Sequence, residues 1–134
     1  MNKQGEAPAI IFWIIWGSIL MGLFILQTFI IGGFHTGGAE EPVTSPLIAI
    51  CLSGAIASFV VRWMVLPRQS SLATQLPTMI IGLALAESTG LLGMFLIGSS
   101  YPSLQLLTFF LSVLAVVQFM PVYAKPISKN AQSR

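Results

Sequence analysis

The chain has 134 residues, of which 55% are hydrophobic and 7% charged, and its formal net charge is +2. Soluble domains carry about 25% charged residues, so this is the composition of an integral membrane protein, and so small a positive excess implies no nucleic-acid partner. One cysteine (Cys51), one histidine (His35) and no aspartate supply neither a disulfide framework nor a nucleophile with its base, so the chain is not expected to be an enzyme.

The first apolar segment runs from Pro8 to Ile31 and is closed by Gly32-Gly33. It follows Lys3 as a secretory signal core would, but it exceeds a signal's roughly 7 to 15 residues and ends without a small-x-small cleavage site, so it reads as a span. Trp13 and Trp16 lie near its start, where indoles commonly anchor at the membrane interface. The following loop holds His35, Glu40 and Glu41, one imidazole and two adjacent carboxylates among glycines. Such groups read as solvated, and no metal site is assigned.

The second segment, Ser45 to Leu66, is opened by Pro42 and Pro46 and leads through Pro67 and Arg68-Gln69 to the third, Pro77 to Gly98. A short link at Ser99 to Pro102 precedes the fourth, Ser103 to Tyr123. Its residues Phe109, Phe110, Leu111, Val113 and Val117 make it apolar almost all round, which predicts a lipid-facing helix. Gln105, Ser112 and Gln118 are its few polar groups. At a 1.5 Å rise, about 20 residues cross a hydrocarbon core of about 30 Å, and backbone groups in lipid must be bonded within the segment. The expectation is an all-α bundle of four transmembrane helices (8–31, 45–66, 77–98, 103–123) forming a single membrane domain over residues 1–134, with a polar tail at 124–134.

All six cations, Lys3, Arg62, Arg68, Lys125, Lys129 and Arg134, fall at the N-terminus, around the second loop or in the tail. The positive-inside rule then puts both termini and the Arg68 loop in the cytoplasm. Arg62, near the end of the second helix, can snorkel to the headgroups there.

Glu87 is the single acidic residue inside any of the four apolar segments. A carboxylate at the bilayer centre costs roughly 2.5 to 3.5 kcal/mol on insertion scales, which marks it as a functional residue by default. Gly82, Ala86 and Gly90 recur every four residues, with Gly93 three further on, forming a stripe along which another helix can approach closely. Glu87 lies at the edge of that stripe, which predicts that it faces protein. A carboxyl group that is neutral against hydrocarbon and charged against water is what a membrane ion carrier needs. The structural counterpart is a neutral glutamic acid that fastens one helix to another.

The run Thr78-Met79, Gly82, Ala84 and Ala86-Glu87-Ser88-Thr89-Gly90 resembles the ion-carrying helix of the c subunit (proteolipid) of F-type rotary ATP synthases, particularly the sodium-coupled members. In that family the helix follows a cytoplasmic turn containing Arg-Gln, matched here by Arg68-Gln69. An inner helix with glycine at every second position comes before the turn, and the matching stretch is Ala49-x-Cys51-x-Ser53-x-Ala55-x-Ala57. Steps of two residues advance about 200° on a helix, so these small residues fall on two opposite faces, 49/53/57 and 51/55, as suits a helix placed between two neighbours.

The resemblance covers roughly residues 47–98 and implies a central helical hairpin, with Glu87 and Ser88 as ion-binding residues. The sequence departs from the family where it lacks the inner-helix glutamine (Ile56 stands near that place), has Leu92 for a tyrosine, has Leu83 for a polar residue, and adds one helix at each end. With most of the sodium cage missing, the resemblance implies a proton as the bound ion and no cofactor. Ser53 and Ser58, together with Gln105, Ser112 and Gln118 of the fourth segment, are further candidates to bond Glu87. The expected partners are the lipid bilayer with either copies of the same chain or other membrane subunits, and the expected location is the bacterial inner membrane. Two readings stand: proton transfer at Glu87, or a non-transporting subunit or scaffold in which Glu87 is a structural bonding group.

Overall fold

The computed structural model describes residues 9–34, 45–98 and 101–124. His35, Glu40 and Glu41, the cations at 3, 125, 129 and 134, and the prolines at 8 and 42 lie outside the described residues. The described residues form four helices: α1 (Ala9–Leu26), α2 (Ser45–Val60), α3 (Leu72–Leu92) and α4 (Pro102–Val117). With the turns that extend them, they give four apolar spans, Ala9–Ile31, Pro46–Arg68, Leu72–Ile97 and Pro102–Tyr123, each long enough to cross a membrane. The protein is therefore a multi-pass membrane protein of all-helical fold.

The first three helices each run on into a five-residue π-helical turn, at Gln27–Ile31, Val61–Val65 and Gly93–Ile97. At the end of α1, Gly32 takes a left-handed conformation (φ 83°), and its N–H donates to the Gln27 carbonyl. The Gly33 N–H reaches the same carbonyl at 3.2 Å. A side chain would be strained at Gly32, so this glycine ends the helix where the sequence predicts.

Helix α3 begins at Leu72, upstream of the expected start at Pro77. Ser71 caps it: the hydroxyl accepts from the Thr74 N–H at 3.4 Å, and the Thr74 hydroxyl donates to the Ser71 carbonyl at 3.0 Å. This cap supplies partners for end groups that a helix opening at Pro77 would leave to water. Pro77 then sits inside the helix, exposed, at the cost of one backbone bond near the end. At the other extreme, α4 stops before Pro121, whose ring cannot continue it, and Pro121–Tyr123 forms a separate 3-10 turn.

Helix α3 packs against each of the other three helices. The expectation that the fourth helix faces lipid is overturned. Of the apolar stretches of α3 and α4, 44% of residues are buried in each, against 11% for α1 and 22% for α2. The reason lies in complementary volumes. The stripe on α3 receives α4, and the pairs run in opposite directions along the two helices: Gly93 faces Thr108, Gly90 faces Ser112, and Gly82 faces the ring of Phe119. A β-carbon added at Gly90 would lie 2.9 Å from the Ser112 Oγ, and one at Gly82 would meet Phe119 Cζ. Ser112 seals the approach by donating to the Ala86 carbonyl at 2.7 Å. The aromatic and aliphatic residues that made α4 look uniformly apolar include Phe110, Leu114 and Val117 on its exposed side, while Phe109, Ala115 and Val116 are in the core.

On its other flank α3 meets α2 at Gly54, where an added β-carbon would meet the Ser88 hydroxyl and lie 2.6 Å from the Leu85 carbonyl oxygen. Of the two small faces on α2, Cys51 and Ala55 are buried, whereas Ala49 and Ser53 are exposed and Ala57 is half-buried. Leu66–Arg68 and the link to Ser71 turn the chain between α2 and α3. Gln69 bridges this turn, donating to the Val65 carbonyl at 3.4 Å while its own carbonyl accepts from the Gln75 amide at 3.2 Å. Arg68 is exposed.

Candidate ion site at Glu87

Glu87 stands about 22 Å along α3 from Leu72 and about 15 Å from Ile97, taking 1.5 Å per residue, and so lies well inside the span Leu72–Ile97. A seven-residue spacing returns a helix to nearly the same direction, so Glu87 shares a line with Ile80 below it and Met94 above it. Ile80 is 42% exposed and Met94 3%; Glu87 is half-buried, at the border of the bundle. The Gly90 side of α3, next to this line, is closed by Leu23 of α1, whose Cδ2 would lie 3.3 Å from an added β-carbon.

Among the described residues, no hydrogen bond or ion pair reaches the Glu87 carboxylate. Every polar side chain proposed for it is engaged elsewhere. Ser88, one step or about 100° round the helix, donates to the Leu85 carbonyl at 2.6 Å and faces Gly54. Ser53 donates to the Ile50 carbonyl at 2.7 Å and Ser58 to the Ala55 carbonyl at 2.6 Å. Ser112 is held by Ala86 as described above. Gln118 donates to the Ser58 Oγ at 3.4 Å and accepts from the Trp63 indole at 3.1 Å.

Gln105 belongs to an arrangement that sequence reading missed. It and Gln27, in the turn that extends α1, are fully buried and exchange both amide bonds, Gln105 Nε2 to Gln27 Oε1 at 2.7 Å and Gln27 Nε2 to Gln105 Oε1 at 3.1 Å. Gln27 also donates to the Gly33 carbonyl at 2.9 Å. Each amide supplies the donor and the acceptor that the other lacks, which is how two such groups tolerate burial away from water. The signal was present, since Gln27 interrupts an otherwise apolar run, but a lone amide does not name its partner 78 residues away.

The opposite end of α4 is held by side chains from two other helices. The Trp16 indole N–H donates to the Val116 carbonyl at 2.9 Å, and Arg62 Nε donates to the Gln118 carbonyl at 2.7 Å. The Val116 carbonyl belongs to the last turn of α4 and also accepts from the Phe119 N–H at 3.0 Å, whereas the Gln118 carbonyl lies just past the helix, where a cation opposes the negative end of the helix dipole. Trp16 thus ties α1 to α4 in addition to any anchoring role, while Trp13 stacks edge-on against it with centroids 5.8 Å apart.

Comparison with family models, with curated proteins and with solved structures returns no match for this chain.

Proposed function

We propose that this protein is a membrane subunit that binds and transfers a proton at Glu87, in the manner of the rotary c subunit that its third helix resembles. The observation that carries the reading is the partnerless carboxylate. A glutamic acid that fastens one helix of this bundle to another would have its partner within the chain, as Gln27, Gln105 and Ser112 do. Glu87 has none among the described residues, although it sits mid-span at the edge of the bundle. A group so placed can pick up a proton from one aqueous side and release it to the other as its surroundings change. Ser88, bonded to Leu85 and turned towards Gly54, is not required for this, and a proton needs only the carboxyl group.

In this proposal α2 and α3 form the c-like hairpin, with Arg68-Gln69 at its cytoplasmic turn and both termini cytoplasmic, in the bacterial inner membrane. The exposed face at Ala49 and Ser53 supports a second reading, in which the chain is a non-transporting subunit and Glu87 bonds a neighbouring copy or another membrane protein.

Carbodiimide labelling across pH tests the proposal. Glu87 should react selectively and faster at low pH, Glu87→Gln should not react, and proteoliposomes of the wild type should pass protons at a rate that the variant lacks. Absence of labelling at every pH, or equal proton flux in the variant, would remove the carrier reading. Protection from labelling by sodium would replace the proton with sodium.

A further inference from the structure

We propose that Arg62 forms a binding site for the phosphate of an anionic phospholipid headgroup, at the end of the bundle where α2 and α4 finish. The site is assembled from three segments. Arg62 Nε is fixed by the Gln118 carbonyl at 2.7 Å. The guanidinium carbon lies 4.7 Å from the centre of the Trp63 ring and 5.1 Å from that of Tyr123. Trp63 is in turn held by its indole N–H on Gln118 Oε1 at 3.1 Å, and Tyr123 by its hydroxyl on the Phe119 carbonyl at 3.3 Å. The planar group is therefore positioned before any ligand arrives.

Those contacts use one of its five N–H donors. The terminal Nη groups have no partner among the described residues, and no carboxylate there pairs with the charge. A guanidinium presents its remaining donors in a fork that matches two oxygens of a phosphate. Leaving a cation unpaired near hydrocarbon is costly, and among the described residues nothing supplies its counter-charge, which a lipid phosphate would provide.

The depth selects a lipid. Arg62 lies six residues before the end of the span Pro46–Arg68, about 9 Å at helical rise, within reach of the headgroups for a long side chain. The indoles of Trp13, Trp16 and Trp63 and the ring of Tyr123 gather at this same end, through the contacts Trp13 with Trp16, Trp16 with Val116, Phe12 with Tyr123 and Arg62 with Tyr123. Such rings mark the headgroup level of a bilayer, and Trp63 is 62% exposed there. This inference is independent of the role of Glu87.

The test is native mass spectrometry of the full-length protein extracted from nanodiscs of phosphatidylcholine and phosphatidylglycerol, counting phosphatidylglycerol retained on the folded protein. The wild type should retain it, with Arg62→Gln reducing retention several-fold, and Arg68→Gln and Glu87→Gln leaving it unchanged. Arg62→Lys keeps the charge if the glutamine variant fails to fold. It should also lose retention, because an ammonium does not hold the Gln118 carbonyl and a phosphate in the same forked geometry. Unchanged retention in Arg62→Gln or Arg62→Lys, or an equal loss in Arg68→Gln, would overturn the site. Displacement of the lipid by millimolar inorganic phosphate would assign the site to free phosphate and overturn the lipid reading.

Discussion

The Gln27–Gln105 pair allows the sharpest test of how this bundle is held. Gln27→Leu removes both reciprocal bonds, leaves the Gln105 amide buried without its partner, and takes the donor from the Gly33 carbonyl. Gln105→Leu is milder, because Gln27 keeps Gly33. A buried polar group left unmet costs about 1 to 3 kcal/mol, so both single variants should destabilise, with Gln27→Leu the worse. In the double variant the amides vanish together, and the loss should fall short of the sum. Interhelical bonds in membranes average about 0.6 kcal/mol and reach about 1.7, so two bonds give a coupling of about 1.2 kcal/mol, with a ceiling near 3.4. The assay is equilibrium unfolding in mixed micelles as the mole fraction of SDS rises, applied to the wild type, both single variants and the double. Additivity within about 0.5 kcal/mol would refute the pairing.

Glycine substitutions test the packing. Gly54→Ala pushes against the Leu85 backbone oxygen, and Gly93→Ala against the Thr108 side chain. Each should cost about 1 to 3 kcal/mol in the same assay, whereas Gly22→Ala, with nothing within 4 Å, should be neutral; equal behaviour of all three would contradict the close approaches. Trp16→Phe keeps the ring but removes the bond to Val116, and should lower stability by about 1 kcal/mol, with no change expected if the indole only anchors in lipid. Glu87→Gln, which breaks no bond within the described residues, should shift unfolding by less than about 0.5 kcal/mol; a loss of several times that would make Glu87 a structural fastener.

Hydropathy made the four spans legible, because length and backbone bonding leave helices few alternatives in lipid. The stripe at Gly82, Ala86, Gly90 and Gly93 was equally visible, since four-residue spacing defines a face. Its occupant was not. Small residues announce that something comes close, yet nothing in the sequence says that Thr108, Ser112 and Phe119 are the residues that fill the space. The boundary at Pro77 was misplaced because proline is a strong punctuation signal and Ser71 a weak one, although the serine cap decides the start. Around Glu87, spacing located the carboxyl at the edge of the stripe but gave no measure of how its neighbours spend their hydrogen bonds. Ser88 adjoins it in sequence and turns towards another helix.

The two side chains that hold the last turn of α4 also set an order of events during synthesis. Trp16 bonds a carbonyl 100 residues further along the chain, and Arg62 one 56 residues further along. At roughly 5 to 20 residues per second, α1 emerges about 5 to 20 seconds before the group it will grip exists. During that interval its contacts with α3 can form but those with α4 cannot, and it is the span with the smallest share of residues buried in the finished bundle. Helix α1 is thus made well before the partner that grips it, with α4 arriving to close the assembly.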